Sequence, residues 1–101
     1  MTLHEPDLAD VPVLTVLQAL ADENRLTIVR EMAGGDERLC GSFAPWLAKA
    51  TRSHHFKVLR EAGLTRTRIE GTSRYVRLRR DDLHRHFPGL LDAILARTTA
   101  S

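Results

Sequence analysis

The residues best equipped for chemistry lie together in Lys49-Ala50-Thr51-Arg52-Ser53-His54-His55-Phe56-Lys57-Val58-Leu59-Arg60. Small hydroxyls, cations and two imidazoles are mixed there with a few apolar positions. Near the start of a helix, Thr51 and Ser53 can approach phosphate groups along the helix dipole. Lys49, Arg52, His54, His55 and Lys57 carry donors able to reach acceptor atoms on base edges in a DNA major groove. Phe56 and Leu59 fall on the opposite side and point toward a core. Thr51 and Ser53 are also ordinary capping residues, and the two roles are compatible. Adjacent helical side chains project about 100° apart, so His54 and His55 make a poor chelate for one metal. One of the pair is expected to wedge against the scaffold.

A second basic set follows. Leu64–Glu70 and Arg74–Arg79 alternate at period two around Gly71-Thr72-Ser73, which describes a β-hairpin. It offers Arg66, Arg68, Arg74, Arg77 and Arg79, and arginine suits phosphates and the negative potential of a narrow minor groove. The residues nearest the tip, Arg68, Thr72, Ser73 and Arg74, are the DNA-contact candidates. Arg77 to Arg80 are expected to be solvated or paired with Asp81 and Asp82, and Tyr75 to pack on the hairpin. The overall charge of +2 conceals this concentration. Residues 1–48 carry three basic side chains against eight acidic ones, a net −5. Residues 49–80 carry ten against two, a net +8, and residues 81–101 carry two against three, a net −1. Such asymmetry marks a surface for a polyanion.

These residues need a scaffold, and 101 residues with 43% hydrophobic content suffice for one domain with one core. Asp10 and Pro12 read as the N-cap and first-turn proline of an amphipathic helix carrying Val13, Val16, Leu17 and Leu20. Asp22 caps a second helix with Leu26, Ile28, Val29 and Met32 inward, ended by Gly34-Gly35. Phe43, Trp46 and Leu47 at i, i+3, i+4 spacing predict a short helix, with Pro45 in its first turn. A helix over 50–62 follows, with Gly63 just past its end, and then a wing over 64–79. Asp81 or Asp82 starts a last helical region, restarted at Pro88 and carrying Leu90, Leu91, Ile94 and Leu95. Two helices joined by a tight turn and followed by a charged hairpin describe a winged helix-turn-helix, mainly α with a small β-hairpin. The expected layout is a flexible segment over 1–10, the winged domain over 11–97 and a tail over 98–101.

Other classes are set aside. No apolar run approaches the roughly 20 residues that span a bilayer. The acidic start MTLHEPDLAD lacks the basic and apolar regions of a secretory signal, so a cytoplasmic protein without a membrane partner is expected. There is no Gly-rich phosphate loop, no paired carboxylates on a plausible cleft and no Cys/His dyad of fixed spacing. Neither an enzyme nor a cofactor is expected.

Three runs resemble the ArsR/SmtB family of bacterial repressors. Leu20-Ala21-Asp22-Glu23-Asn24-Arg25-Leu26-Thr27-Ile28-Val29 is similar to that family's opening "ALADxxRLxIL". Ser53-His54-His55-Phe56-Lys57-Val58-Leu59-Arg60-Glu61-Ala62-Gly63-Leu64 matches its recognition-helix signature "SHHLKVLREAGL" almost residue for residue. Glu70-Gly71-Thr72-Ser73-Arg74-Tyr75-Val76-Arg77-Leu78 resembles its wing. The resemblance spans about residues 11–96. It implies a homodimeric repressor that binds double-stranded DNA at an imperfect palindrome and leaves it on sensing an effector. Dimers of the family pair through the first and last helices, so Val13, Val16, Leu17, Leu90, Leu91, Ile94 and Leu95 are the interface candidates, some of them shared with the core.

The inducer, whether small molecule or metal, is not named by these residues. Family metal sensors use paired thiolates at the start of the third helix, or an Asp-x-His…His-x-x-Glu set on the last helix. Cys40 stands at the first thiolate position, but Ser42 takes the second. One thiolate makes a poor soft-metal site. Asp82-Leu83-His84 mimics half of the other set, while Leu95 and Thr98 fall where the remaining ligands belong. His86 could complete an Asp82/His84/His86 cluster, but Pro88 breaks the helix beyond it, and Asp82 is better read as a helix cap. No metal site is expected. Cys40 reads as a small packed hydrophobe, with a redox switch as the alternative. A winged helix that binds protein rather than DNA is the competing reading of the whole chain.

Overall fold

Asp22 shows how local chemistry starts the scaffold. In the computed structural model, which describes residues 1–98, its carboxylate accepts the Arg25 N–H at 3.0 Å and caps α2 (Glu23–Met32). That hydrogen bond, with the nearby Arg25 charge, holds the Asp22 carboxyl below its ordinary value despite partial burial. α1 (Val13–Leu20) starts differently from expectation. Pro12, not Asp10, occupies the cap position, and no side chain caps this helix. Asp10 instead ends a short 3-10 turn, Leu8–Asp10, capped by Asp7. Proline lacks an N–H and has its φ preset, which suits a helix boundary without a capping oxygen. α1 buries Val16, Ala19 and Leu20 against Ile28, Val29 and Met32 of α2.

The helix expected around Phe43, Trp46 and Leu47 does not form. The segment holds a two-residue strand, β1 (Arg38–Leu39), a 3-10 turn (Cys40–Ser42) and irregular chain up to residue 48. Ala44 precedes Pro45, a position pushed out of the α region, and it adopts a left-handed φ of 47°. Phe43 is fully buried, with the Arg38 guanidinium 4.0 Å from its ring centre, while Trp46 faces solvent and donates to Asn24 Oδ1 at 3.2 Å. A helix would have put both aromatics on one face. A tight, irregular turn puts them on opposite sides.

α3 (Lys49–Glu61) buries His55, Phe56 and Leu59, and Phe56 meets Phe43 edge to face at 5.9 Å. Gly63 ends it with φ +83°, and a Cβ there would come within 2.5 Å of Leu8 Cδ2. β2 (Thr65–Glu70) and β3 (Ser73–Leu78) then form the expected hairpin. Gly71 takes φ +61° at the first of the two turn residues, as type II′ hairpins require. β1 pairs with β3, giving an antiparallel sheet in the order β1-β3-β2, and sequence reading missed this third strand. Two residues carry too little alternation to register.

The outer edge of β2 is covered as well. Leu3 N–H donates to the Thr67 carbonyl at 2.9 Å, and Ile69 N–H donates to the Met1 carbonyl at 2.6 Å. Leu8 is buried beneath Gly63 and α4. The segment 1–10, read as flexible, thus lies along the wing and reaches the end of α3. α4 (Arg80–His86) and α5 (Leu90–Thr98) complete the fold, with Gly89 at φ +78° turning between them. Leu83, Leu91 and Leu95 close the core. Asp81 and Asp82 lie in the first turn of α4, whose cap position is Arg79, so Asp82 is not the expected cap. Of the tail 98–101, only the Thr98 backbone falls within the described residues.

Candidate nucleic-acid interface

α3 presents its polar residues outward because its apolar positions are fixed against α1, α2 and the sheet. Lys49, Thr51, Ser53, His54 and Lys57 are exposed, and Arg52 is half-buried. Ala48 occupies the cap position without a side-chain hydrogen bond, so the first N–H groups of α3 have no capping side chain. Thr51 and Ser53 sit inside the first turns, not at the cap. Their capping reading is therefore corrected, and both residues are exposed.

His55 departs from the expected contact set. It is only 7% exposed, and its Nδ1 lies 3.3 Å from Arg25 Nη1. A guanidinium only donates, so Nδ1 accepts in this contact. The same guanidinium donates from Nε to the Ala19 carbonyl at 2.6 Å. His55 is the wedged member of the pair, tying α3 to the end of α1, and a base edge cannot reach it. His54 keeps the exposed position.

Ion pairing sorts the remaining cations. On the hairpin, Arg68 is committed: Nη2 lies 2.8 Å from Glu37 Oε1, Nη1 lies 2.6 Å from Glu70 Oε2, and the guanidinium stacks 4.6 Å from the Tyr75 ring centre. Its charged form is held firmly, and the same bond lowers the Glu37 carboxyl from its ordinary value. The expectation that Arg68 offers a free cation is corrected. Arg66 bonds Glu5 at 2.7 Å, which strengthens its charged form. Arg79 bonds Asp82 at 3.3 Å and the Pro6 carbonyl at 2.9 Å. Arg80 and Arg85 pair with Asp92 and Asp82. Among the described residues, Lys49, Arg52, Arg60, Arg74 and Arg77 have no carboxylate within 4.0 Å, and the Lys57–Glu61 pair is only marginal at 4.0 Å. The unpaired cations thus lie along α3 and on β3. Thr72 and Arg74 are exposed at the tip and Ser73 is half-buried beside them.

Cys40 sits between these elements. Burial pushes its thiol up, opposed by the positive charges of Arg74, Arg52 and Arg60. A thiol kept protonated is a weak nucleophile and a weak redox sensor. Among the described residues, no three His, Cys, Asp or Glu side chains gather as metal ligands. Asp82 is already engaged by Arg79 and Arg85.

The candidate dimer face divides in two. Val13 and Leu17 of α1 are exposed, and Leu90 and Ile94 of α5 are half-buried. Val16, Leu91 and Leu95 are buried in the chain's own core, so their interface assignment is corrected. Leu14 was missed and is 60% exposed. The excess of apolar residues over one stripe of α1 was the signal for it.

No family model matches the chain. An uncharacterized HTH-type transcriptional regulator of Bacillus subtilis (strain 168), YceK, is 40% identical over 97 residues, spanning 93% of this chain and 95% of its own. The homodimeric winged helix-turn-helix DNA-binding domain of a possible ArsR-family transcriptional regulator from Mycobacterium bovis has a TM-score of 0.68. It is 30% identical and covers 86% of this chain and 81% of that one. An ArsR-like transcriptional regulator from Rhodococcus sp. RHA1 has a TM-score of 0.61 at 26% identity, over 93% of this chain and 87% of that one. With this fold similarity and this level of identity, the chain belongs to the ArsR family of winged helix-turn-helix transcriptional regulators.

Proposed function

We propose that the protein is a cytoplasmic, homodimeric repressor that binds a palindromic operator in double-stranded DNA. The observation that carries this reading is the sorting of charge. Most arginines of the hairpin base and α4 are neutralised by carboxylates, whereas Lys49, Arg52 and Arg74 are not. In this reading α3 enters the major groove, with Thr51 and Ser53 on phosphates and Arg52, His54, Lys49 and Lys57 toward base edges and backbone. Thr72, Ser73 and Arg74 take the flanking phosphates. Val13, Leu14 and Leu17 with Leu90 and Ile94 form the apolar face that a second copy covers. The M. bovis relative is homodimeric, and two reading helices related by a two-fold axis match a palindrome.

A titration of the upstream intergenic duplex against a random duplex tests this. Tight binding to the first, with Arg52→Ala and His54→Ala each weakening it severalfold or more, is expected. Unchanged binding in both variants would remove α3 from the interface. Repeating the titration with metals, oxidant and chelator searches for the inducer.

A further inference from the structure

We infer that Glu37, assisted by Glu70, withholds Arg68 from DNA, so that these carboxylates set how tightly the wing grips the phosphate backbone. This rests on the DNA-binding reading above. Arg68 lies on β2, while Glu37 immediately precedes β1 on the far side of β3. To reach it, the Arg68 side chain crosses β3 over the Tyr75 ring, its direct cross-strand partner. Glu37 then receives three contacts, from Nε at 3.1 and 3.4 Å and from Nη2 at 2.8 Å. Glu70 receives Nη1 at 2.6 Å. The cluster of one cation and two carboxylates carries a net charge of −1, one residue along the strand from the level of Arg74 at the wing tip.

The two carboxylates are unequal. The Glu37 side chain is 28% exposed and grips the guanidinium from two nitrogens, whereas Glu70 is 68% exposed and makes one contact. Solvent and salt screen the second pair much more than the first. A DNA phosphate must therefore displace Glu37 to recruit Arg68, and Glu70 alone would yield. Phosphate contacts carry no sequence information, so a released Arg68 strengthens binding to any duplex.

The test is the salt dependence of Kd for the full chain on the upstream intergenic duplex and on a random duplex of equal length. Glu37→Gln should tighten both by roughly five- to tenfold near 0.1 M salt and steepen the log–log slope by about 0.9, one phosphate contact. Glu70→Gln should give a smaller gain. Asp36→Asn removes the same charge one residue away, where no ion pair is released, and should change little. The double variant Glu37→Gln with Arg68→Gln should lose the gain, because its charge matches wild type and no cation is freed. Equal gains for Glu37→Gln and Asp36→Asn, or weaker binding by Glu37→Gln, overturn the inference while wild-type binding stands. A wild-type chain that binds neither duplex overturns the DNA-binding reading, and the inference with it.

Discussion

His54 and His55 are adjacent in sequence and opposite in fate. The pattern required one of them to turn inward, and the Arg25 contact decides which. Replacing His55 with Ala should cost about 1–3 kcal/mol of stability, because Arg25 loses a partner in a nearly closed site. Replacing His54 with Ala should leave the melting temperature within a degree or two and weaken DNA binding. Thermal melts beside binding titrations separate the two, and equal thermal losses would contradict the assignment. Asp22 gives a pH prediction. Its folded-state carboxyl titrates below the unfolded value, so its contribution is complete above about pH 4 and fades as pH falls through the folded value. Asp22→Ala should cost about 1 kcal/mol at pH 7. Asp22→Asn keeps a capping oxygen but cannot titrate, so it should lose less stability than wild type between pH 5 and pH 2.5 in acid denaturation. An acid limb unchanged by that substitution would contradict the role. Single residues were the hardest scale to read from sequence: ion-pair partners such as Glu5–Arg66 and Glu37–Arg68 lie far apart along the chain, and nothing local announces them.

Periodicity gave α2, α3, the hairpin and the last helices, because each buries one regular face. It failed at 39–48. There the spacing of Phe43, Trp46 and Leu47 imitates a helix, but a left-handed Ala44 before Pro45 prevents one. It also missed how far the N-terminal segment reaches. Met1 to Leu3 hydrogen-bond along β2, Glu5 lies beside Arg66 and Arg79, and Leu8 fits under Gly63. The strap therefore touches both the wing and the end of α3. Gly63 is the point most sensitive to change. Its φ of +83° already disfavours any side chain, and a Cβ would collide with Leu8. Gly63→Ala should cost about 2 kcal/mol or more, seen as a lower denaturation midpoint. A neutral substitution there would mean that the strap does not press on this turn.

At the scale of the molecule, the modest net charge of +2 hides a division of labour. Acidic residues from the first half and from α4 neutralise the arginines that stiffen the hairpin base, leaving unpaired cations on α3 and β3. The exposed Val13, Leu14 and Leu17 of α1 are the complementary feature, an uncovered apolar face that a second copy would bury. Leu14→Glu should shift the protein to a monomer in sedimentation, with its fold intact and its affinity for a palindromic site reduced at least tenfold. A dimer that persists in this variant would place the interface elsewhere. The fold class was legible in the sequence because it follows from periodicity, and clustered charge marked α3 and the hairpin as the candidate site. No effector was legible, since Cys40 lacks the second thiolate of a paired-thiolate metal site. The proposed DNA binding requires that the unpaired cations meet phosphates. The slope of log Kd against log salt for the upstream intergenic duplex measures that contact count: a magnitude of about 4 to 8 per dimer is expected, falling by about 0.9 per Arg52 removed. A flat salt response, or equal affinity for palindromic and random duplexes, would contradict sequence-specific DNA reading by this surface.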